Sequence, residues 1–230
     1  MDKELVYPIS ELFVSPQGEG RFTGTLMQFI RFAGCSVGKP YKPDEHVGDF
    51  PIYYEKCTAY DGRTFTCDTD FRVKERLTVP KILEWATSHN VGFILLTGGE
   101  PLMRDVAPLV RALKKQGFDI HVETSGTIRP DLNQSFWKAL DWICVSPKKG
   151  FWDQYADMGI ANEFKLLVDE HFEWENIPKS IQRKPNKICL SPINDTGSIN
   201  DANLQRCLAL QREHTEVRVT QQMHKIWGVR

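Results

Sequence analysis

The 230-residue chain carries six cysteines, and three of them, Cys35, Cys57 and Cys67, fall in its first third. Cys35 sits within Gly34-Cys35-Ser36-Val37-Gly38 and Cys67 within Thr66-Cys67-Asp68-Thr69-Asp70, polar loop settings that expose thiols. Three thiolates can hold three irons of a 4Fe–4S cluster and leave the fourth open, or take three positions around a zinc ion completed by His46 or water. Between the first two cysteines lie 21 residues and between the second and third lie nine, so the spacing alone selects neither. Cys144, Cys189 and Cys207 lie inside apolar patterns and read as small buried side chains.

Other polar groups recur at the ends of apolar runs. Gly98 and Gly99, in Thr97-Gly98-Gly99-Glu100-Pro101, let backbone approach a ligand without interference from a Cβ, and Glu100 can accept hydrogen bonds from an amine. Taken alone, the same residues also describe a tight turn. Glu123, Ser125, Ser146 and Lys148 offer hydroxyls and both signs of charge, as a zwitterionic or ribose-bearing ligand needs, though each singly also reads as a solvated loop residue. Gln17-Gly18-Glu19-Gly20 sets an amide and a carboxylate between glycines, suited to the donor and acceptor edge of a heterocycle or to an ordinary turn. Arg31 can grip a carboxylate by two parallel bonds or pair with a structural acid. His224 reads equally as a site residue or as a hydrogen-bonded structural histidine.

The elements that must position these groups follow from periodicity. Short apolar runs at Phe93 to Leu96, Ile120 to Val122, Trp142 to Val145, Phe164 to Val168, Ile188 to Leu190 and Val217 to Val219 alternate with helical stretches. Thr78 with Pro80 opens one helix, Gly117 stops a second and Asn200 caps a third, while Leu26 to Phe32 forms a strand leading to Cys35. Trp85, Trp137 and Trp142 read as core. The pattern predicts an α/β fold with a mainly parallel sheet, and the polar motifs fall at the carboxyl ends of its strands, where such folds bind ligands. Residues 36 to 77 contain no convincing βα unit, so an incomplete, partial TIM-type barrel fits better than a closed eight-fold one.

A net charge of −1 leaves no basic excess for a nucleic-acid backbone, and no apolar stretch approaches the length of a membrane span. The opening residues lack a signal-peptide pattern. One domain over residues 1–230, a cytoplasmic setting and a small-molecule partner are the expectations, with no nucleic acid and no membrane.

In order along the chain, Tyr7 to Phe13, Gln17-Gly18-Glu19-Gly20, Phe22-Thr23-Gly24, Ile30-Arg31-Phe32, Cys67-Asp68-Thr69, Thr97 to Pro101, Glu123 to Thr127, Ser146-Pro147-Lys148 and His224-Lys225 resemble the 7-carboxy-7-deazaguanine synthases of the radical S-adenosylmethionine superfamily. The resemblance runs nearly end to end. It implies a radical SAM core with an enlarged cluster-binding loop over residues 36–66, and a radical ring contraction of 6-carboxy-5,6,7,8-tetrahydropterin to 7-carboxy-7-deazaguanine. Ammonia is lost, on the route to queuosine and other deazapurines. The implied cofactors are a 4Fe–4S cluster, S-adenosyl-L-methionine and Mg2+; the implied partners are a reducing protein such as flavodoxin and a second copy of the chain in a homodimer.

Carried over by position, the resemblance assigns Thr66, Cys67, Asp68, Gly98, Gly99, Glu100, Ser125, Ser146, Pro147, Lys148, Ser191, Pro192, Ile193 and Asn194 to S-adenosylmethionine, with Glu100 near its methionyl amine. Pro16, Gln17, Gly18, Glu19, Arg31, Thr97, His224 and the terminal Arg230 match substrate contacts, and Thr69 matches a magnesium ligand. The departure lies at the cluster, where Lys39 and Thr64 occupy positions at which members usually carry cysteines. Cys57 is the cysteine available inside the insertion, and the resemblance makes it the third ligand beside Cys35 and Cys67. Thr66 stands where members carry an aromatic residue, implying backbone-led adenine contacts. Two rival readings share some of these residues: a glycyl-radical activase, against which Gln17 to Gly20 and His224 argue, and a zinc-stabilised, non-catalytic binding protein.

Overall fold

The computed structural model describes residues 5–37, 46–47, 50–51, 55–67, 69–129, 131, 135–194 and 199–229. Strands β1 (Val6–Pro16), β2 (Leu26–Phe32), β3 (His46–Val47), β4 (Phe50–Pro51), β5 (Glu55–Thr58), β6 (Thr64–Cys67) and β7 (Glu75–Thr78) come first. Helix α1 (Val79–Thr87), β8 (Phe93–Gly98), α2 (Ala107–Lys115), β9 (Asp119–Thr124), β10 (Trp142–Val145) and α3 (Asp153–Met158) follow. The chain continues through β11 (Glu163–Val168), α4 (Lys179–Gln182), β12 (Ile188–Pro192), α5 (Asp201–Glu213), β13 (Arg218–Val219) and α6 (Met223–Trp227).

Nine strands join in the order β13-β12-β11-β10-β9-β8-β2-β1-β7. Every neighbouring pair from β2 to β13 is parallel, and β1 runs antiparallel to both β2 and β7. The two ends of this order, β13 and β7, do not pair with each other, which is the open arrangement of a partial barrel.

Side chains alternate across each strand, and the two faces of the sheet have different tasks. Ile94, Leu96, Ile120, Val122, Phe164, Leu166 and Leu190 are buried in one core with Ile82 of α1, Leu109 and Leu113 of α2 and Leu210 of α5. Each such side chain contributes about 1.5–3 kcal/mol on leaving water. The intervening positions include Leu95, Thr97, Glu123, Lys165 and Leu167, which line a cavity on the other face. Phe13, Met27, Phe29 and Leu95 form a smaller apolar cluster there, with Phe22 and Phe93 packed against it. The expected helix signals operate locally: Asn200 accepts a bond from Asn203 N–H at 3.1 Å, and Gly117 takes φ +85° just past α2.

Two strands of the nine-stranded sheet, β1 and β7, were not foreseen, nor were the four short strands between β2 and β7. β1 spans 11 residues but contains Pro8 and Pro16, and its register shifts between Ile9 and Glu11, so its burial does not alternate cleanly. β7 is a short edge strand, with Glu75 and Arg76 exposed and Leu77 and Thr78 half-buried. The region between β2 and β7 holds two hairpins, β3–β4 and β5–β6, in keeping with the lack of a βα unit there. Among the described residues no helix is long and apolar enough to cross a membrane.

Candidate functional site

A cavity of about 590 Å³ opens at the carboxyl ends of the parallel strands, a size suited to small ligands. Cys35, Cys57 and Cys67 all face it, each half-buried and unbridged. Register on the β5–β6 hairpin explains the last two. Cys57 stands opposite Phe65, and Cys67 lies two residues beyond Phe65, so both cysteines project from one face as diagonal neighbours. The hairpin is tied across the cavity mouth: Tyr60 donates to the His171 carbonyl at 3.3 Å and packs edge-on against Phe172, Arg63 pairs with Asp169, and Lys149 donates to the Asp61 carbonyl at 2.7 Å.

Beneath Cys35 lies the Gly98-Gly99 turn. A Cβ on Gly99 would fall 2.1 Å from the Gly34 carbonyl oxygen and 2.7 Å from Cys35 Cβ, and Gly98 holds φ +129° against Phe32. These glycines therefore let the end of β8 pack directly on the first cysteine loop while still facing the cavity. The Val37 N–H donates to Cys35 Sγ at 3.4 Å.

Glu100 departs from expectation. Its fully buried carboxylate accepts from Leu102 N–H at 3.0 Å, Thr124 Oγ1 at 2.8 Å, Ser125 N–H at 2.7 Å and the Ser125 hydroxyl. Its oxygens are turned into the protein because these donors converge there, and it does not line the cavity. The groups of that network that line the cavity are Thr124 and Ser125. Pro16, Pro147 and Ser191 likewise stand off the cavity lining: Pro16 pairs with Leu26 at the end of β1, Ser191 is buried opposite Leu167 in the sheet, and Pro147 is buried between Ser146 and Lys148, which do line it. Asp68 and Arg230 lie outside the described residues, as does the side chain of His46.

The remaining expected residues surround the same space. Lys148 donates to Ser146 Oγ at 3.2 Å, and Thr66, Thr97, Pro192, Ile193 and Asn194 line adjoining walls. Arg31 faces the cavity with Nε 3.3 Å from Glu11 and Nη1 donating to Thr69 Oγ1 at 3.4 Å, so the structural-acid pairing and the cavity position coexist. Gln17, Gly18 and Glu19 enter from the loop after β1, and His224 closes over them from α6.

Sequence reasoning missed Lys165 and Glu11. Lys165 lies in β11, buried amid Phe164, Leu166 and Leu167, and its ammonium bonds Glu19 and Glu123, the latter at 3.0 Å. The signal was present: a lysine at the centre of an apolar strand needs a partner, because burying an unpaired charge is prohibitive. Cys144, Cys189 and Cys207 are buried as expected, and burial pushes their thiols up, that of Cys207 to about 12.

A curated 7-carboxy-7-deazaguanine synthase from Synechocystis sp. is 32% identical to this chain over 226 residues, covering 97% of the chain and 94% of that protein. The chain belongs to the 7-carboxy-7-deazaguanine synthase family. A second synthase, from Bradyrhizobium diazoefficiens, is 30% identical over 237 residues, covering 97% of this chain and 99% of its own. The crystal structure of QueE from Escherichia coli superposes with a TM-score of 0.63 at 26% identity, covering 94% of this chain and 93% of that one. No family model matches the chain.

This synthase family implies a cluster, and the donor set fits one. Three soft thiol donors face one cavity beside a glycine pair that leaves backbone open to a ligand. Among the described residues no three His, Cys, Asp or Glu side chains stand close enough to share a single ion.

Proposed function

We propose that the chain converts 6-carboxy-5,6,7,8-tetrahydropterin to 7-carboxy-7-deazaguanine with loss of ammonia, as a carbon–nitrogen lyase of deazapurine synthesis. The observation that carries this reading is one cavity with three thiols on one side and the Gln17, Glu19, Glu123 and Lys165 wall on the other. When bound, a 4Fe–4S cluster with S-adenosylmethionine would supply the radical chemistry.

Cys35, Cys57 and Cys67 hold the cluster. Gly98, Gly99, Ser125, Ser146, Lys148 and the 192–194 segment bind the cosubstrate, with Thr66 beside its adenine and Asp68, outside the described residues, assigned to the same cosubstrate by its sequence position alone. Arg31 and Thr97 orient the substrate carboxylate and ring, and Gln17, Glu19 and His224 hold its far edge; Arg230, outside the described residues, is a further substrate contact by its sequence position alone. Thr69, an oxygen donor beside Arg31, would hold Mg2+. The β5–β6 hairpin excludes water that would quench a radical. The chain works as a single domain, in a cytoplasmic homodimer reduced by a flavodoxin-like protein.

The experiment is anaerobic reconstitution, then incubation of reduced protein with the carboxypterin, S-adenosylmethionine and Mg2+. Deazaguanine product is expected, with roughly four irons and four sulfides per chain. No product, or zinc in place of iron, defeats the reading.

A further inference from the structure

The polar wall closes into a ring. Gln17 Nε2 donates to Glu123 Oε1 at 2.9 Å, Lys165 Nζ donates to Glu123 Oε2 at 3.0 Å and to Glu19 Oε2, and Glu19 N–H donates to Gln17 Oε1 at 3.2 Å. All four side chains line the cavity. The ring draws on the loop after β1, on β9 and on β11, so no single segment could set its geometry. One ammonium stands against two carboxylates. A buried ion pair of this kind is a poor source of stability compared with apolar packing of the same volume. Its position, at the floor of a ligand cavity, supplies a reason to hold it.

We infer that Lys165 is a positioning residue: it fixes Glu19 and Glu123 together as a pair of acceptors and thereby selects a ligand edge carrying adjacent N–H donors, such as the aminopyrimidinone edge of a pterin. The inference rests on the functional reading above. Without Lys165, two partly buried carboxylates lose the cation that stands against both, and like-charge repulsion then favours a proton on one of them. The acceptor pair then becomes half donor. The other titratable groups nearby do not replace the ammonium. Glu163 of β11 accepts from Arg21 N–H at 3.1 Å, and burial raises its pKa; burial likewise keeps the Cys144 and Cys189 thiols of β10 and β12 protonated. Burial disfavours the Lys165 ammonium, but Glu123 and Glu19 outweigh it and hold its pKa well above the ordinary value.

The test uses cluster-free protein, with fluorescence of 6-carboxypterin as the binding readout and 6-carboxylumazine, which has an oxo group in place of the 2-amino group, as competitor. Wild type should prefer the pterin over the lumazine throughout about pH 5.5 to 7.5, and its affinity at each pH is the reference against which the variant is read. In Lys165→Met, pterin affinity should fall about tenfold or more at the acid end, recover as pH rises, and lose most of its preference over the lumazine. A merely structural lysine would not create that pH profile. Pterin binding by Lys165→Met that keeps wild-type affinity at every pH and wild-type preference overturns the inference and leaves the functional reading standing. Wild type that binds no pterin overturns both. Should Lys165→Met fail to fold by circular dichroism, Glu19→Gln carries the test: it removes one acceptor carboxylate, and unchanged pterin preference in it is equally fatal.

Discussion

His224 rests directly on the backbone of Gly18: a Cβ built on Gly18 would fall 2.4 Å from its Nδ1 and 2.9 Å from its Cβ. The Met223 N–H also donates to the Gly18 carbonyl at 2.9 Å, so the start of α6 is fastened to the loop after β1. That contact brings the C-terminal segment to the cavity. Gly18→Ala should push His224 aside and lower kcat/KM about tenfold or more, while thermal unfolding shifts by no more than the ~1–3 kcal/mol of local overpacking. Unchanged kcat/KM would remove His224 from the site.

Cys57 shares a hairpin face with Cys67 and a cavity with Cys35. Cys57→Ala should reconstitute with well under the roughly four irons per chain of a complete cluster, with an unchanged far-UV spectrum. Full iron and sulfide in the variant would transfer the third ligand to another residue.

Glu100 gathers donors from Leu102, Thr124 and Ser125 in a fully buried site. Glu100→Ala strands at least two buried donors at about 1–3 kcal/mol each and should melt several degrees below wild type. Glu100→Gln, which keeps an acceptor, should fall between them. An Ala variant that melts like wild type but loses S-adenosylmethionine affinity would return Glu100 to direct ligand contact.

His121 packs among Phe22, Phe93 and Trp142, and burial lowers its pKa to about 4, with Asp141 opposing. The unfolded chain takes up this proton near the ordinary histidine pKa of about 6.5. The native state does not until about pH 4. Native stability from a neutral His121 is thus present above about pH 6.5 and lost as pH falls toward 4. In Tm measured against pH, His121→Phe should gain on wild type as pH drops from about 7 to 4.5. A constant gap between the two curves would refute the assignment.

Several parts of this molecule were legible in one dimension because local rules govern them. Runs such as Phe93 to Leu96 and Ile120 to Val122 are buried on alternate positions and bounded by turn residues, so they appear as β8 and β9 nearly where periodicity puts them. Gly98 and Gly99 pointed to close approach, and the structure supplies what approaches: the Cys35 loop. Residue type likewise separated the cysteines in polar loops from Cys144, Cys189 and Cys207.

What depended on distant partners could not be read along the chain. β1 hid behind two prolines and a register shift, and it exists because β2 and β7 flank it. Glu100 looked like a ligand contact until Thr124 and Ser125 converged on it from β9 and the loop that follows. Lys165 is unremarked in sequence because its partners lie 146 and 42 residues away. The sequence by itself determined which chemical groups are present and which strands carry them, since propensity and burial period act over a few residues. Only the tertiary structure decided which groups meet, because a carboxylate or an ammonium takes its role from the charges and donors that folding brings within about 3 Å of it.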